Sequence, residues 1–353
     1  MAREFPRLRH PIVQAPLAGG PSTPALAAAV SDAGGLGFLA AGYKAPDDLR
    51  ADISTMRQLT SAPFGVNLFL LTEAPVKDAA ISRYAEALDG ERTRHASVLG
   101  RPRFDDDAFA AKLEIVLDQR PSVVSFTFGC PSAEIVARLH DRHIAAWVTI
   151  TEPPEAGMAA DAGADALVAQ GVEAGGHRGS FDDLDGHGEL SLLPLLRLTA
   201  EATSLPLVAS GGIADGAGVA GALAAGARAV QIGTGFMRCP EAATSQIHKD
   251  ALTQPTETAL TRAFTGRRAR GIVNRFMRDY GPLAPPAYPH VHHLTAPLRA
   301  AAREAQDPDR VNLWAGETHT LATEQPAADL VRRWSQDARQ ALGDALAQRW
   351  SCA

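Results

Sequence analysis

The chain has 353 residues, 46% of them hydrophobic and 21% charged, which marks a globular protein long enough to bury a large core. A net charge of −6 with no long basic run argues against nucleic acid as the main partner. No apolar stretch reaches membrane-spanning length, the start "MAREFPRLRHPIVQAP" has no signal-peptide core, and Cys130, Cys239 and Cys352 form no CxxC pair, so a cytoplasmic protein without a disulfide framework is expected.

Short apolar, β-branched runs alternate with alanine-rich helical stretches through the first two thirds of the chain. Strands are expected at "PIVQAP" (11–16), "LGFLAAG" (36–42), "PFGVNLF" (63–69) and "VVSFTFG" (123–129). Four more are expected at "IAAWVTI" (144–150), "ALVAQG" (166–171), "PLVASGG" (206–212) and "ARAVQIGT" (227–234). Each is close to continuously apolar, as parallel strands covered on both faces are. Helix signals such as "TPALAAAVSDAGG", with a Thr/Pro start and a glycine stop, fall between them. Eight such units predict an α/β fold, a TIM (β/α)8 barrel, with a doubly wound open sheet as the rival.

The longer, more polar stretch 72–105 reads as an insertion between the third strand and its return helix. After Arg238 the strand signal stops, and residues 241–326 read as helix and loop with "GPLAPPAYP" (281–289) as a Pro-rich connector. The last segment, 327–353, has helical periodicity and is expected to pack back on the body.

In a barrel, chemistry sits where strands end and βα loops begin. The first expected strand ends in Gln14, Ala15, Pro16 and Leu17, the third delivers Asn67, and the sixth delivers Gln170. The loop after the sixth, "GVEAGGHRG" (171–179), holds Glu173 and His177. The seventh ends in Ser210, Gly211 and Gly212, and the eighth in Gln231, Ile232, Gly233 and Thr234. Glycines after the last two strands suit a phosphate cradle of backbone N–H groups, or else merely turn the chain. Three amide side chains at strand ends favour the cradle, because a planar hydrogen-bonding ligand such as a flavin would satisfy them. His177 follows a strand end in a glycine-rich loop that can bring it against a flat ring, four residues from the Glu173 carboxylate. A pKa near neutrality would suit it as a general base.

Other features read more simply. "GAGVAG" (216–221) and "GLGFLA" (35–40) match dinucleotide fingerprints, but the first is set back from its strand and the second lies at a helix-to-strand turn. Small-residue packing explains both, with Asp215 as an N-cap. Cys130 offers a nucleophile but reads as a small buried residue, and "HVHH" (290–293) offers metal ligands but reads as a polar loop. "FDDLDGHGE" (181–189) is acidic without calcium-loop spacing, and "RAFTGRRARG" (262–271) offers charge to an anionic substrate or a partner subunit but reads by default as a solvated face. No metal site is expected.

Seven motifs occur in order: "PIVQAPLAGG", "PFGVNLF", "VSFTFGCP", "GVEAGGHRG", "VASGGI", "VQIGTGF" and "NLWAGE" (312–317). Together they resemble the nitronate monooxygenases, formerly 2-nitropropane dioxygenases, especially their class I branch. The resemblance implies an FMN-binding TIM barrel over 1–240 and a smaller, mainly helical substrate or lid domain over 241–326. It implies FMN contacts from Asn67, Gln170, Gly175, Gly212, Gln231, Gly233 and Thr234. The backbone of Ala15, Pro16 and Leu17 would lie beside the flavin, and the adjoining Gly176, Gly211 and Ile232 complete the set.

His177 would be the active-site histidine, protonated to hold an anionic nitronate or unprotonated to take a proton from a neutral nitroalkane. Substrates would be alkyl nitronates such as propionate 3-nitronate together with O₂, giving a carbonyl compound and nitrite, in a monomer or homodimer. Leu17 departs from the family's methionine. Glu317 departs from its glutamine, a carboxylate that would repel an anionic substrate if close. Two alternatives remain at this stage. One is an FMN-dependent NAD(P)H:quinone or enoyl-acyl carrier protein reductase on the same fold, and the other is a cofactor-less phosphate-binding barrel.

Overall fold

Each of the eight runs expected as strands contains one. They are β1 (Ile12–Gln14), β2 (Gly37–Ala40), β3 (Phe64–Phe69), β4 (Val123–Thr127), β5 (Ala145–Ile150) and β6 (Ala166–Gln170), then, beyond the short β7 (Gly176–His177), β8 (Leu207–Ser210) and β9 (Ala229–Ile232). The computed structural model describes residues 4–73, 75–94, 97–183 and 186–348. All eight pair in parallel in the order β1-β9-β8-β6-β5-β4-β3-β2. The two edges meet: Val13 bridges Leu36, with Leu36 N donating to Ile12 O at 3.0 Å and Gln14 N to Leu36 O at 2.9 Å. Closure excludes the open doubly wound sheet and makes the fold a TIM barrel.

The barrel floor is apolar. Val13, Phe38, Val123, Trp147, Val168 and Val208 fill it, and Phe5 stacks on Trp147 from below with ring centroids 5.1 Å apart. Truncating a residue in this layer costs about 2–5 kcal/mol, because a packed interior relaxes only partly around a cavity. Above it the strand ends turn polar at Asn67, Ser125, Thr127, Gln170, Ser210 and Gln231, so polarity marks the upper mouth before any ligand is considered. Helices start where the sequence signals them: Thr23 Oγ1 accepts from Leu26 N at 3.0 Å ahead of Pro24, and Asp215 Oδ1 accepts from Gly218 N at 2.8 Å.

The nucleotide-like glycine strings are packing devices. A Cβ on Gly216 would lie 2.3 Å from Asp337 Cβ, where helix Ala327–Ala347 crosses helix Gly216–Ala224. Gly37 lies directly against the Ala27 backbone. Residues 349–353, the end of the expected C-terminal helix together with Cys352, lie outside the described residues.

The insertion after β3 forms helices Asp78–Ala87 and Asp89–Arg94, and the return helix of the barrel follows at Phe109–Gln119. Ile81, Tyr84 and Leu88 of the insertion share one apolar cluster with Phe264, Phe276 and Leu294. Beside it, the buried Glu91 carboxylate meets Arg275 at 3.0 Å, Arg310 at 2.6 Å and the Tyr280 hydroxyl at 2.8 Å.

The structure differs from the sequence reading after Arg238. Strands β10 (Thr258–Thr261) and β11 (Ala269–Ile272) pair antiparallel, and β11 also pairs with β7. Arg270 interrupts the apolar run of β11 yet is buried, since its guanidinium donates to Val172 O at 2.8 Å and Thr258 Oγ1 at 3.1 Å. A buried arginine satisfied by carbonyls breaks the apolar signal on which strand reading relies. Among the described residues, no helix is long and apolar enough to cross a membrane.

Candidate active site

A cavity of about 550 Å³ opens at the upper mouth of the barrel, between the strand ends and the segment that carries β10, β11 and helix His290–Glu304. Asn67, Gln170, Gln231, Ala15, Pro16 and Leu17 all line it, as do Gly175, Gly176, His177, Gly211, Gly212, Gly233 and Thr234. Ile232 does not. Its side chain is buried in the outer core, and its carbonyl accepts from Ala15 N at 2.8 Å, so both ends are spent on the barrel wall.

The three amides play different parts. Gln231 is 9% exposed and its side chain makes no hydrogen bond among the described residues. Asn67 gives its amide hydrogens to Ser125 Oγ and Thr127 Oγ1, both at 2.9 Å, leaving its carbonyl without a partner among the described residues. Gln170 is occupied: it donates to His177 O at 3.0 Å and accepts from Gly179 N at 2.8 Å, so it braces the histidine loop. Among the described residues, the N–H groups of Gly212, Gly233 and Thr234 meet no carbonyl, and they lie in the loops after β8 and β9.

The glycines of the histidine loop have individual causes. A Cβ on Gly175 would stand 2.5 Å from the Ala315 carbonyl carbon, because the "NLWAGE" segment runs over it. Gly176 has φ +76, which side chains rarely adopt, and open space beside it. The missing Cβ at Gly175 therefore makes room for the protein's own backbone. Arg178, fully buried, anchors the loop by donating to Gln170 O, Gly171 O and Gly188 O at 2.8, 2.6 and 2.7 Å.

His177 sits on β7 opposite Ala269 of β11. Its Nε2 is 2.9 Å from Thr265 Oγ1, and its ring is enclosed by Phe128, Tyr288 and Trp314 at centroid distances of 6.0, 5.6 and 5.6 Å. Burial in this enclosure, then the charges of Arg267 and Arg299, push its pKa down to about 3. A value below the near-neutral one expected from the sequence favours the neutral ring over the protonated one. Glu173 is no partner to it, since its carboxylate accepts from Leu192 N at 3.1 Å and caps helix Leu192–Ala202.

Positive charge in the cavity comes instead from Arg299, which is 6% exposed. It donates to Thr295 Oγ1 at 3.1 Å and to His292 O at 2.9 Å, and among the described residues no carboxylate pairs with it. Burial and then Arg303 lower it to about 10, so it stays cationic. Arg267 lies 4.2 Å over the Phe128 ring and donates to Arg178 O at 2.9 Å. Phe128 itself has φ +79, a strained conformation for a bulky residue that directs its ring to His177. Glu317 lies outside the cavity wall and pairs with Arg270 at 3.2 Å, so the repulsion its identity suggested does not arise there.

Several simple readings are overturned. "HVHH" begins a helix, not a polar loop, and His292 is half-buried and stacks on Tyr43. "RAFTGRRARG" is not a solvated face: Thr265, Arg267, Arg268 and Arg270 are all buried. In the acidic stretch 181–189, of which 184 and 185 lie outside the described residues, Asp183 and Glu189 each accept from Arg268 at 3.0 Å. Cys130 is half-buried, with its thiol pKa raised by burial, as suits a packing residue. Among the described residues no three His, Cys, Asp or Glu side chains converge as a metal site requires.

Sequence reasoning missed Thr265, Tyr288, His292, Arg299 and Trp314. Tyr288 carried a signal as an aromatic beside prolines, and His292 and Arg299 as a histidine-arginine face seven residues apart on a helix.

Comparison with known proteins gives consistent results. The model of a family described as nitronate monooxygenase matches residues 5–337. A nitronate monooxygenase of Pseudomonas aeruginosa is 42% identical, over 96% of this chain and 100% of that protein. One of Paraburkholderia phytofirmans is 38% identical over 94% and 93%. Among solved structures, a nitroalkane oxidase of Streptomyces ansochromogenes superposes with a TM-score of 0.93 at 49% identity, covering 96% of this chain and 98% of that one. FabK of Thermotoga maritima superposes with a TM-score of 0.74 at 27% identity, covering 96% of each chain.

Proposed function

The chain belongs to the nitronate monooxygenase family of oxidoreductases, and on that premise we propose that it oxidises alkyl nitronates with O₂ in the cavity around His177, using FMN. The residues present fit that cofactor. Gln231 is an amide nine-tenths buried without a partner among the described residues, and Asn67 offers a carbonyl, which suits a planar ligand with donors and acceptors on its edge. The N–H groups of Gly212, Gly233 and Thr234 suit a phosphate, at the loops where barrels commonly hold one. A cavity of about 550 Å³ also lies within the usual range for cofactor sites. When bound, FMN would supply the electron acceptor and the reaction with O₂.

The observation that carries the proposal is that one cavity is lined by both His177 and a buried Arg299 that has no carboxylate partner among the described residues. A neutral imidazole can take the α-proton of a nitroalkane. The potential of Arg299 favours the negative charge of a nitronate, whether that charge arrives with the substrate or develops at proton removal. Phe128, Tyr288 and Trp314 surround the imidazole with apolar surface, and the lower local dielectric strengthens the attraction of Arg299 for that charge.

The test is turnover of ethyl nitronate by the yellow, FMN-containing protein, with His177→Ala beside it. The variant is expected to lose nitroethane turnover more severely than turnover of preformed ethyl nitronate, and equal losses would refute the base role. Rapid bleaching by NADPH under anaerobic conditions would favour the reductase alternative. A colourless folded protein that takes up no FMN would exclude the flavin.

A further inference from the structure

We propose that Thr265 is the positioning residue that fixes the tautomer of His177, holding the proton on Nε2 and leaving Nδ1 as the proton-accepting atom. The inference rests on the nitroalkane and nitronate chemistry proposed for the cavity, and it concerns which atom performs it.

The argument is one of hydrogen-bond direction. Thr265 is 1% exposed, so bulk water does not compete for its hydroxyl. That hydroxyl carries one proton and has two candidate acceptors, His177 Nε2 at 2.9 Å and Arg267 O at 3.3 Å. The carbonyl of Arg267 can only accept, and among the described residues it has no other donor. If Thr265 donated to Nε2, a buried carbonyl would be left unpaired, which is costly. If Thr265 donates to Arg267 O, its oxygen, which also accepts from Arg267 N at 3.4 Å, keeps a second lone pair to accept Nε2–H, and every group is satisfied. Nδ1 makes no hydrogen bond among the described residues, and the ring lines the cavity. The tautomer is assigned from this network.

The charged and titratable groups around the ring act in the same sense. Arg267 lies on the turn before β11, Arg299 and His292 on helix His290–Glu304, and Tyr288 just before that helix. The two arginines disfavour imidazolium, so the ring rests with one proton, and Thr265 decides where it sits. In the reaction the α-proton of the nitroalkane moves to Nδ1. The C–H electron pair becomes the second bond of C=N, and the charge passes to the nitro oxygens. Nε2–H stays with Thr265 throughout.

The test compares Thr265→Val, which keeps the shape and removes the hydroxyl, with Thr265→Ser, which restores it. The first readout is the ¹⁵N NMR spectrum of the His177 imidazole at neutral pH, identified by its loss in His177→Ala. The wild type is expected to show the Nε2-protonated form, and Thr265→Val a mixture of tautomers. The second is kcat/KM, expected to fall about 30-fold in Thr265→Val for nitroethane but no more than about threefold for ethyl nitronate, with recovery in Thr265→Ser. A wild type protonated on Nδ1 would overturn the proposal, as would a Val variant with an unchanged spectrum and equal losses on both substrates. If Thr265→Val does not fold, the wild-type spectrum decides alone. If the wild type oxidises neither substrate, the functional reading fails, while the spectrum still answers for the tautomer.

Discussion

Tyr43 and His292 stack face to face, their ring centroids 4.4 Å apart and their planes within 1° of parallel. One follows β2 and the other opens the helix His290–Glu304, so the stack joins the barrel mouth to the segment above it. It also fixes the place of Arg299, which donates to the His292 carbonyl.

Arg299→Met should therefore weaken binding of an anionic substrate without unmaking the cavity. The expected result is a KM for ethyl nitronate raised about 10- to 100-fold, as for loss of a charge-assisted contact, with kcat little changed. Arg299→Lys should recover part of the loss, because it keeps the charge but not the fork. Steady-state kinetics with the preformed nitronate decide this, and an unchanged KM would remove Arg299 from substrate binding.

The depressed histidines set a direction for pH. His177 is held near 3 in the folded protein, below its unfolded value of 6.5, so folding favours its neutral form. Its contribution to stability is present above pH 6.5 and is lost as pH falls towards 3. His248, lowered to about 4, and His292, lowered to about 2, act in the same sense. Urea midpoints should fall steadily on acidification below neutrality, and less so in His177→Ala. In the free enzyme, kcat/KM for nitroethane should show no histidine break between about pH 6 and pH 8. A break near 6.5 would mean that the ring is more solvated than this enclosure allows.

Two adjacent glycines should respond differently to alanine. Gly175→Ala drives a Cβ into the Ala315–Gly316 backbone, which cannot yield as a side chain tip can. It should cost about 2 kcal/mol or more and displace β7 with its histidine. Gly176→Ala meets no neighbour and pays only for its positive φ, about 1 kcal/mol. Thermal melts of the two variants, read beside their activity, separate crowding from backbone strain.

Glu91→Ala should test the joint between the insertion and the rest of the upper segment. Although burial pulls its carboxyl upward, bonds from Arg275 and Tyr280 and the charge of Arg310 hold it below the usual carboxylate range. Removing it takes a buried ion-pair partner from Arg275 and Arg310, which keep Asp279 and Asp307, at a cost of about 3 kcal/mol measured by urea unfolding. Its contribution is present above its unfolded pKa and lost as pH falls through the folded one.

The barrel was legible because its strands obey one rule. "VVSFT" and "AAWVTI" are covered on both faces, so they are mostly apolar, and no charge interrupts them. The strand-end amides and the loop glycines were legible for a related reason, since polar groups stand out against such runs. The upper segment breaks the rule. β11 carries a buried arginine, and helix His290–Glu304 turns His292 and Arg299 inward towards the cavity. A periodicity argument assigns charged faces to solvent and so reads that helix inside out. Thr265 was hidden differently: nothing in "AFTGR" distinguishes a turn threonine from one that binds a histidine nitrogen.

Trp314 beside His177 is also an optical position. The chain has four tryptophans: Trp147 lies on the barrel floor and Trp334 packs on Phe236 from the C-terminal helix, while Trp350 lies outside the described residues. Only Trp314 of the three described borders the cavity. Emission from a variant retaining Trp314 alone would follow ligand occupancy, whereas Trp147 alone would follow global unfolding. Without any attached dye, the molecule can thus report separately on loading and on collapse.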